Sequence, residues 1–416
     1  MHSCRTPFCV ALLGSALALT ALTPAIGANR TDHEKRLLAV HGLHPAALRL
    51  KNTAPVRRDA TYTVVHDFTG APTDGSGSGA TLRLDDAGNI YGTTDFGGSA
   101  NFGALFKIAP DGTETLLHSF GTGTDGSEPD GGVTINQTTG DLYGTAGSGG
   151  ASGNGVIWKL AANGTYSVLH DFSTNDGSFI RGRMIRDTLG NFYGTALFGG
   201  INGDGTVFKY SFDGVFSVLH TFNGTDGEFP EHGVIRDRVG NLYGVTAFGG
   251  ASDNGTVYKI APDGTFTTLY SFTGGTDGGF LYGGLDRDNG DNLYGSTVDG
   301  GANGFGTVFK LAQDGTLTTL YSFTGGTDGA SPEGDMLQVG GKHLYSTADG
   351  GGDPTCQCGG VYEVSTSGKE HMLHAFTGSD GSGYSAGLVK DKHLFYGTTA
   401  SGGANSDGVV FSVTSK

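Results

Sequence analysis

Beyond residue 28 this 416-residue chain has only two cysteines, Cys356 and Cys358. Two thiols are too few for a structural zinc site. A link across one intervening residue closes almost no chain and would stabilise little, so the pair reads as a local loop staple for an oxidising compartment. The motifs that announce a ready nucleophile, a zinc protease or a phosphate cradle are missing: there is no G-x-S-x-G, no H-E-x-x-H and no G-x-x-x-x-G-K-[ST]. Apolar runs long enough to span a membrane do not occur after residue 28, and helix-period apolar stretches are absent beyond residue 61. What remains is an all-β reading.

Positive charge is scarce as well. The net charge is −16, residues 1–28 carry only Arg5, and residues 29–60 hold seven Lys and Arg against three Asp and Glu, which leaves the rest of the chain at −21. A surface that acidic repels phosphate backbones, so nucleic acid is not expected as a partner. The apolar run from about Val10 to Leu22, followed by Ala25-Ile26-Gly27-Ala28, reads as a secretory signal peptide over 1–28. Residues 29–60 form a basic linker or pro-segment. An exported protein, secreted or periplasmic and not inserted in a membrane, is expected.

Glycine, by contrast, is abundant, at 77 residues, and it recurs at fixed offsets. A Tyr-Gly or Tyr-Ser core falls at Tyr91, Tyr143, Tyr193, Tyr243, Tyr294, Tyr345 and Tyr396, with spacings of 50 to 52 residues. A period that regular specifies a repeat architecture. Each unit supplies four strand signals. Strand A has a Gly-Gly-Leu-like lead-in (Gly284-Leu285), B is the Leu-Tyr-Gly-Thr run, C the Thr-Val-Phe-Lys run and D the Thr-Leu-Tyr-Ser-Phe run. Gly-Asn turns join A to B and Asp-Gly or Asn-Gly turns join C to D, as tight hairpins require. One D run, Val64 to Phe68, precedes every A, B and C, while the last C run, Val409-Val410-Phe411, has no D after it. The two ends complete one another, so residues 61–416 are expected to form a seven-bladed β-propeller closed by an N-terminal strand.

Through Gly-Asn-Leu-Tyr-Gly at 240–244, Gly-Thr-Val-Phe-Lys at 306–310 and Asp-Gly-Thr at 314–316, residues 61–416 resemble the GloVer-type tandem repeat of secreted and surface-anchored bacterial proteins. The resemblance implies the repeat and no activity. Members of that family often carry a C-terminal sorting tail, which is not seen before Lys416, so anchoring is not expected.

Candidate chemistry lies on the loops that join D to A and B to C, which share one face of such a ring. Seven Asp-Gly pairs there (Asp74, Asp125, Asp176, Asp226, Asp277, Asp328 and Asp380) read as Asx turns holding their own loops, since calcium needs six or more converging oxygens. His66, His118, His170, His220 and His374 share a D-strand position with Tyr270 and Tyr321, which favours packing between blades over metal binding. No metal or cofactor is expected.

More telling are the positions where the lead-in to strand A departs from its siblings: Arg181, Arg183, Glu231, His232, Tyr282, Glu333 and Asp335. They are expected as exposed charges on the inner rim that bind a ligand. Tyr282, Tyr384, Phe96, Phe198 and Phe248 would suit sugar stacking. The main reading is a monomeric binding or interaction module for a polysaccharide, a protein ligand or an envelope partner, with no catalytic residue assigned. One alternative is a carbohydrate-active hydrolase or lyase in which Glu231 faces Glu333 or Asp335 across one bond, about 5 to 10 Å apart. A purely structural extracellular protein is the other.

Overall fold

The structure, a computed structural model, describes residues 60–121, 123–383 and 386–414. The signal peptide assigned to 1–28, the basic segment 29–60 apart from Ala60, and Tyr384 lie outside the described residues. Apart from one short two-stranded pairing, the strands form seven antiparallel sheets built on the order A-B-C-D, making a seven-bladed β-propeller. Blades 1 to 6 occupy residues 83–119, 133–171, 185–221, 235–271, 286–322 and 337–375. Blade 7 takes A, B and C from Val389–Asp391, Leu394–Thr398 and Val409–Thr414, and its D strand is Tyr62–Asp67. Antiparallel pairing from Tyr62↔Val413 to Asp67↔Val409 closes the ring. Strand A starts slightly later than its glycine signal: in blade 5 it is Asp286–Arg287, and Gly284-Leu285 is the approach to it.

The Tyr-Gly core has a packing cause. The B-strand glycine lies directly across from the aromatic of strand C, as in Gly144↔Trp158 and Gly244↔Tyr258. A Cβ on Gly144 would sit 2.3 Å from the Trp158 ring, and one on Gly244 would sit 2.3 Å from the Tyr258 hydroxyl. Without a side chain at B, the C-strand ring lies flat on the sheet and packs into the seam between blades. Between blades 3 and 4, for example, Tyr258 joins Val207, Phe222, Val234, Leu242 and Ile260 in one buried cluster. At the closure Phe68, fully buried, packs with Val410 of blade 7 and with Leu82, Phe106 and Ile108 of blade 1.

Every D strand carries a one-residue bulge at the same place, as between Val207 and Phe208 in their pairing with His220 and Val218. The extra residue re-aims the D-strand ring toward the Asp-Gly loop. His66, His220 and His374 sit 3.0, 3.0 and 2.9 Å from Asp74, Asp226 and Asp380, and the Tyr270 and Tyr321 hydroxyls donate to Asp277 and Asp328. Each aspartate also accepts a backbone N–H from its own loop, as Asn223 N–H to Asp226. The rings stack on the next blade: His220 lies 3.7 Å from Phe266 and His374 lies 3.7 Å from Tyr62. In blades 3 to 7 a histidine or tyrosine thus forms a latch with its aspartate, tying a loop to its strand.

A chain beginning at Gly70 loses the closing strand and Phe68, exposes the edge of Val409–Thr414 and should melt well below the parent in calorimetry. In blade 3, Asp226→Ala should cost about 1–3 kcal/mol in urea unfolding, while His220→Tyr, which copies the sibling latches, should cost under about 1 kcal/mol. Burial, outweighing the nearby Asp226 carboxylate, depresses the His220 pKa. Its contribution is therefore complete above the unfolded value near 6.5 and is lost as pH falls through the folded one, so His220→Tyr should lose less melting temperature than the parent between about pH 7.5 and pH 5.

Candidate functional site

On leaving strand D, the chain pairs briefly with the B-to-C loop of the next blade, as at Ser178↔Phe198 and Glu228↔Phe248. The next residue takes a left-handed conformation in all seven repeats. Its φ is 60° at Phe179, 58° at Phe229, 59° at Phe280, 56° at Glu128 and 48° at Ser331, with Gly77 and Gly383 completing the set. Non-glycine residues adopt this region only when the surroundings impose it. The turn sends the following residues toward the channel, and their side chains meet there.

Two networks result. In the outer one the Arg181 guanidinium donates from Nε to Asp130 Oδ2 at 2.9 Å and from Nη1 to Glu231 Oε1 at 3.0 Å, clamping blades 2, 3 and 4 together. The inner one centres on Asp335. Its Oδ1 lies 2.8 Å from His232 Nδ1 and accepts the Gly284 N–H at 2.8 Å, and its Oδ2 accepts from Thr81 Oγ1 at 3.0 Å. One carboxylate from blade 6 therefore joins blades 1, 4 and 5. Between the networks lies a cavity of about 20 Å³, lined by Thr81, Asp130, Arg181, Arg183, Glu231, His232 and Asp335, with Gly79 and Gly131 offering no side chain. That volume holds one or two water molecules.

The electrostatics separate the acids. Burial alone would raise the Asp335 pKa, but the charge and hydrogen bond of His232, with Arg183 and the Gly284 N–H, hold it far below the carboxylate range. His232 is the counterpart: burial favours its neutral form, and Asp335 outweighs that and raises its pKa. Glu333, 5% exposed, is pushed well up by burial and by the carboxylates of Asp349 and Glu231, against the pull of Arg181. Asp349 is pushed up to about 6 by burial. Asp95 is raised by burial and by the neighbouring Asp130.

Of the residues singled out in the sequence, Arg181, Arg183, Glu231, His232 and Asp335 converge on the cavity. Glu333 belongs to the same charge cluster, but it is not among the cavity's lining residues. Glu231 and Glu333 are not the solvated rim charges expected, since the left-handed turns direct them inward and bury them, while Arg181, Arg183, His232 and Asp335 are half-buried. The pairing of Glu231 with Asp335 as acid and base is corrected too, since Asp335 is held as a carboxylate by His232 and Thr81. Tyr282, Phe198 and Phe248 are buried, Tyr282 and Phe198 lying against an aromatic run through Phe229, Phe248 and Phe280, so none offers a free face to a sugar. Phe96 is half-buried in a short pairing of Phe96–Gly97 with Gly75–Ser76. Cys356 and Cys358 are joined as a disulfide.

Sequence reasoning missed Asp130, Thr81, Arg83, Asp95 and Asp349. Asp130 stands at the same repeat offset as Arg181 and Glu231, and Thr81 at that of Arg183 and Asp335, so aligning the lead-ins would have found both. Among the described residues, no group of three or more His, Cys, Asp and Glu is arranged to hold a metal ion, and no helix is long and apolar enough to cross a membrane.

Fold and site together define a tandem-repeat propeller whose non-repeating side chains gather in the channel. The chain belongs to the Gloeobacter/Verrucomicrobia repeat family, whose model matches residues 55–239 and 230–416. No curated protein matches it. Among solved structures it is similar to a chain of the mitotic checkpoint complex, at 12% identity and a TM-score of 0.54 over 90% of this chain and 98% of that one. It is also similar to puromycin hydrolase, at 11% identity and a TM-score of 0.53 over 79% of this chain and 50% of the other. A gluconolactonase from Xanthomonas campestris matches at 16% identity and a TM-score of 0.43, over 75% and 89% of the two chains. The first two likenesses, at such low identity, speak for the fold alone.

The His232–Asp335 pair carries its own test. The raised pKa of His232 means that its share of the pair's stability is complete below the unfolded value near 6.5 and is lost as pH rises through the folded one, whereas the share of Asp335 is present above about 3.8 and lost on acidification. His232→Gln should therefore lower stability by roughly 2–4 kcal/mol near pH 5.5 and by distinctly less near pH 9, as read by chemical unfolding at both values.

Proposed function

We propose that the protein is an exported binding module that takes a hydroxyl-rich ligand, such as the end of a glycan, into the channel mouth. One observation carries this reading: Glu231 Oε2, buried, has no hydrogen-bond partner among the described residues, although the Arg181 clamp fixes the carboxylate. A buried acceptor without a donor is costly, and a ligand hydroxyl would relieve that cost. With the aromatic faces covered, hydrogen bonds do the recognising.

A second reading, a carbohydrate-active hydrolase or lyase, is favoured by the contrast between two neighbouring carboxyls. Burial and the carboxylates of Asp349 and Glu231 push the Glu333 pKa well up, while Glu231 is ion-paired with Arg181. An acid whose pKa is raised is suited to donate its proton beside an ion-paired carboxylate. The position of Glu333 away from the cavity lining places this reading second.

A glycan array combined with a reducing-sugar assay decides between them. The expected outcome is binding without released sugar, weakened about tenfold or more in Glu231→Gln, as the loss of a charged hydrogen bond implies. Released sugar that disappears in Glu333→Gln would establish the enzyme. An array with no bound glycan would refute both.

A further inference from the structure

The inner network leaves positive charge unanswered. Arg83 and Arg183 enter it from blades 1 and 3, and His232 from blade 4, yet Asp335 is the one carboxylate they share. Both oxygens of Asp335 are already engaged, by His232, the Gly284 N–H and Thr81. Asp286, the other acid at this level, spends its oxygens on the backbone N–H groups of Arg287 and Gln338. Neither Arg83 nor Arg183 forms an ion pair among the described residues. Arg83 Nη1 reaches only the Leu82 carbonyl, at 3.1 Å, and Arg183 Nε is buried without an acceptor. Both side chains are half-buried, so water answers part of each charge, but the buried Arg183 Nε–H is left without an acceptor, and a guanidinium is shaped to answer a carboxylate with two parallel N–H donors.

We propose that the channel is a carboxylate-binding site, in which Arg183 and Arg83 take the anionic end of a ligand beside Thr81 and His232. The cavity that Arg183 lines has room for two oxygen-sized atoms, which fits the flat head of a carboxylate better than a tetrahedral phosphate. Burial depresses the affinity of both guanidiniums for their protons, and on Arg83 the charge of Arg183 adds to it; a bound anion would reverse both effects. Glu231 lines the same cavity, and its unpartnered Oε2 is an acceptor suited to a hydroxyl. A molecule carrying a carboxylate at one end and hydroxyls at the other satisfies both networks together. The ligand class is then a uronic or other sugar acid. The hydroxyl half rests on the carbohydrate reading above, and the carboxylate half does not.

The test titrates the purified protein by calorimetry, at fixed ionic strength, with galacturonate, galactose, acetate and inorganic phosphate. Galacturonate should bind at least tenfold more tightly than galactose or acetate, and Arg183→Gln should lose at least tenfold in affinity for galacturonate while keeping its circular dichroism spectrum. If that variant does not fold, the Arg183 Nε–H resonance of the unaltered protein gives the readout and should shift on adding acetate. Acetate binding through Arg183 with no response to any sugar would keep the carboxylate site and end the carbohydrate reading. Galactose binding as tightly as galacturonate, or unchanged affinity in Arg183→Gln, would overturn the carboxylate site and leave the carbohydrate reading standing. Phosphate binding more tightly than either carboxylate would likewise overturn it.

Discussion

The pairing of Tyr62–Asp67 with Val409–Thr414 governs everything at the centre of the molecule. A propeller blade is a wedge, and seven wedges define an axis only when the first is fastened to the last. The hydrogen bond from Thr81 to Asp335 spans 254 residues of chain, and it exists because closure brings blade 1 round to blade 6. Without the closing strand, Asp335 would keep its contact with the neighbouring Gly284 but lose the cross-channel partner that fixes its second oxygen. Global stability and the chemistry of the channel thus share a single fastening.

Much of the architecture was legible because its causes are local and repeated. A glycine facing a C-strand aromatic, a bulge that swings His220 onto Asp226, and an Asp-Gly loop that caps itself all recur with the period, so their spacing alone reported the blades. The interchange of histidine and tyrosine along the D strands correctly suggested packing. What the period could not report is depth. Glu231 and Arg181 look like ordinary surface charges in the sequence, and only the left-handed turn at Phe179 and Phe229 sends them inward. Asp130 and Thr81 escaped notice for a related reason: each resembles a loop residue until the seven lead-ins are laid over one another. Arg83 hides inside a strand signal. Tyr282 was misjudged as a stacking platform because an aromatic on a lead-in gives no sign of the Phe248 ring already covering it.

The two networks also divide labour by charge. The outer one surrounds a single guanidinium with carboxylates, while the inner one gathers cations around a single carboxylate. Buried ionic groups of this kind seldom add net stability over a well-packed apolar core, because desolvation consumes most of the attraction. An apolar plug of Leu and Val would close a channel at less cost. That the channel is filled instead with Arg83, Arg181, Arg183, His232, Glu231 and Asp335 points to a use beyond holding the blades together.

The left-handed turn repeated in all seven lead-ins has a further consequence. A backbone with near-sevenfold symmetry would by itself offer a guest seven equivalent orientations, and a site that accepts seven poses recognises none. Here the rotation is broken by occupancy alone: at one height the positions read Gly79, Asp130, Arg181, Glu231, Tyr282 and Glu333 through blades 1 to 6, each on the same turn. Side chains can be exchanged at these positions without altering the turn that presents them. The propeller is therefore a dial with fixed stops and interchangeable numerals, and the direction in which a guest must point is written in side chains while the ring itself stays the same.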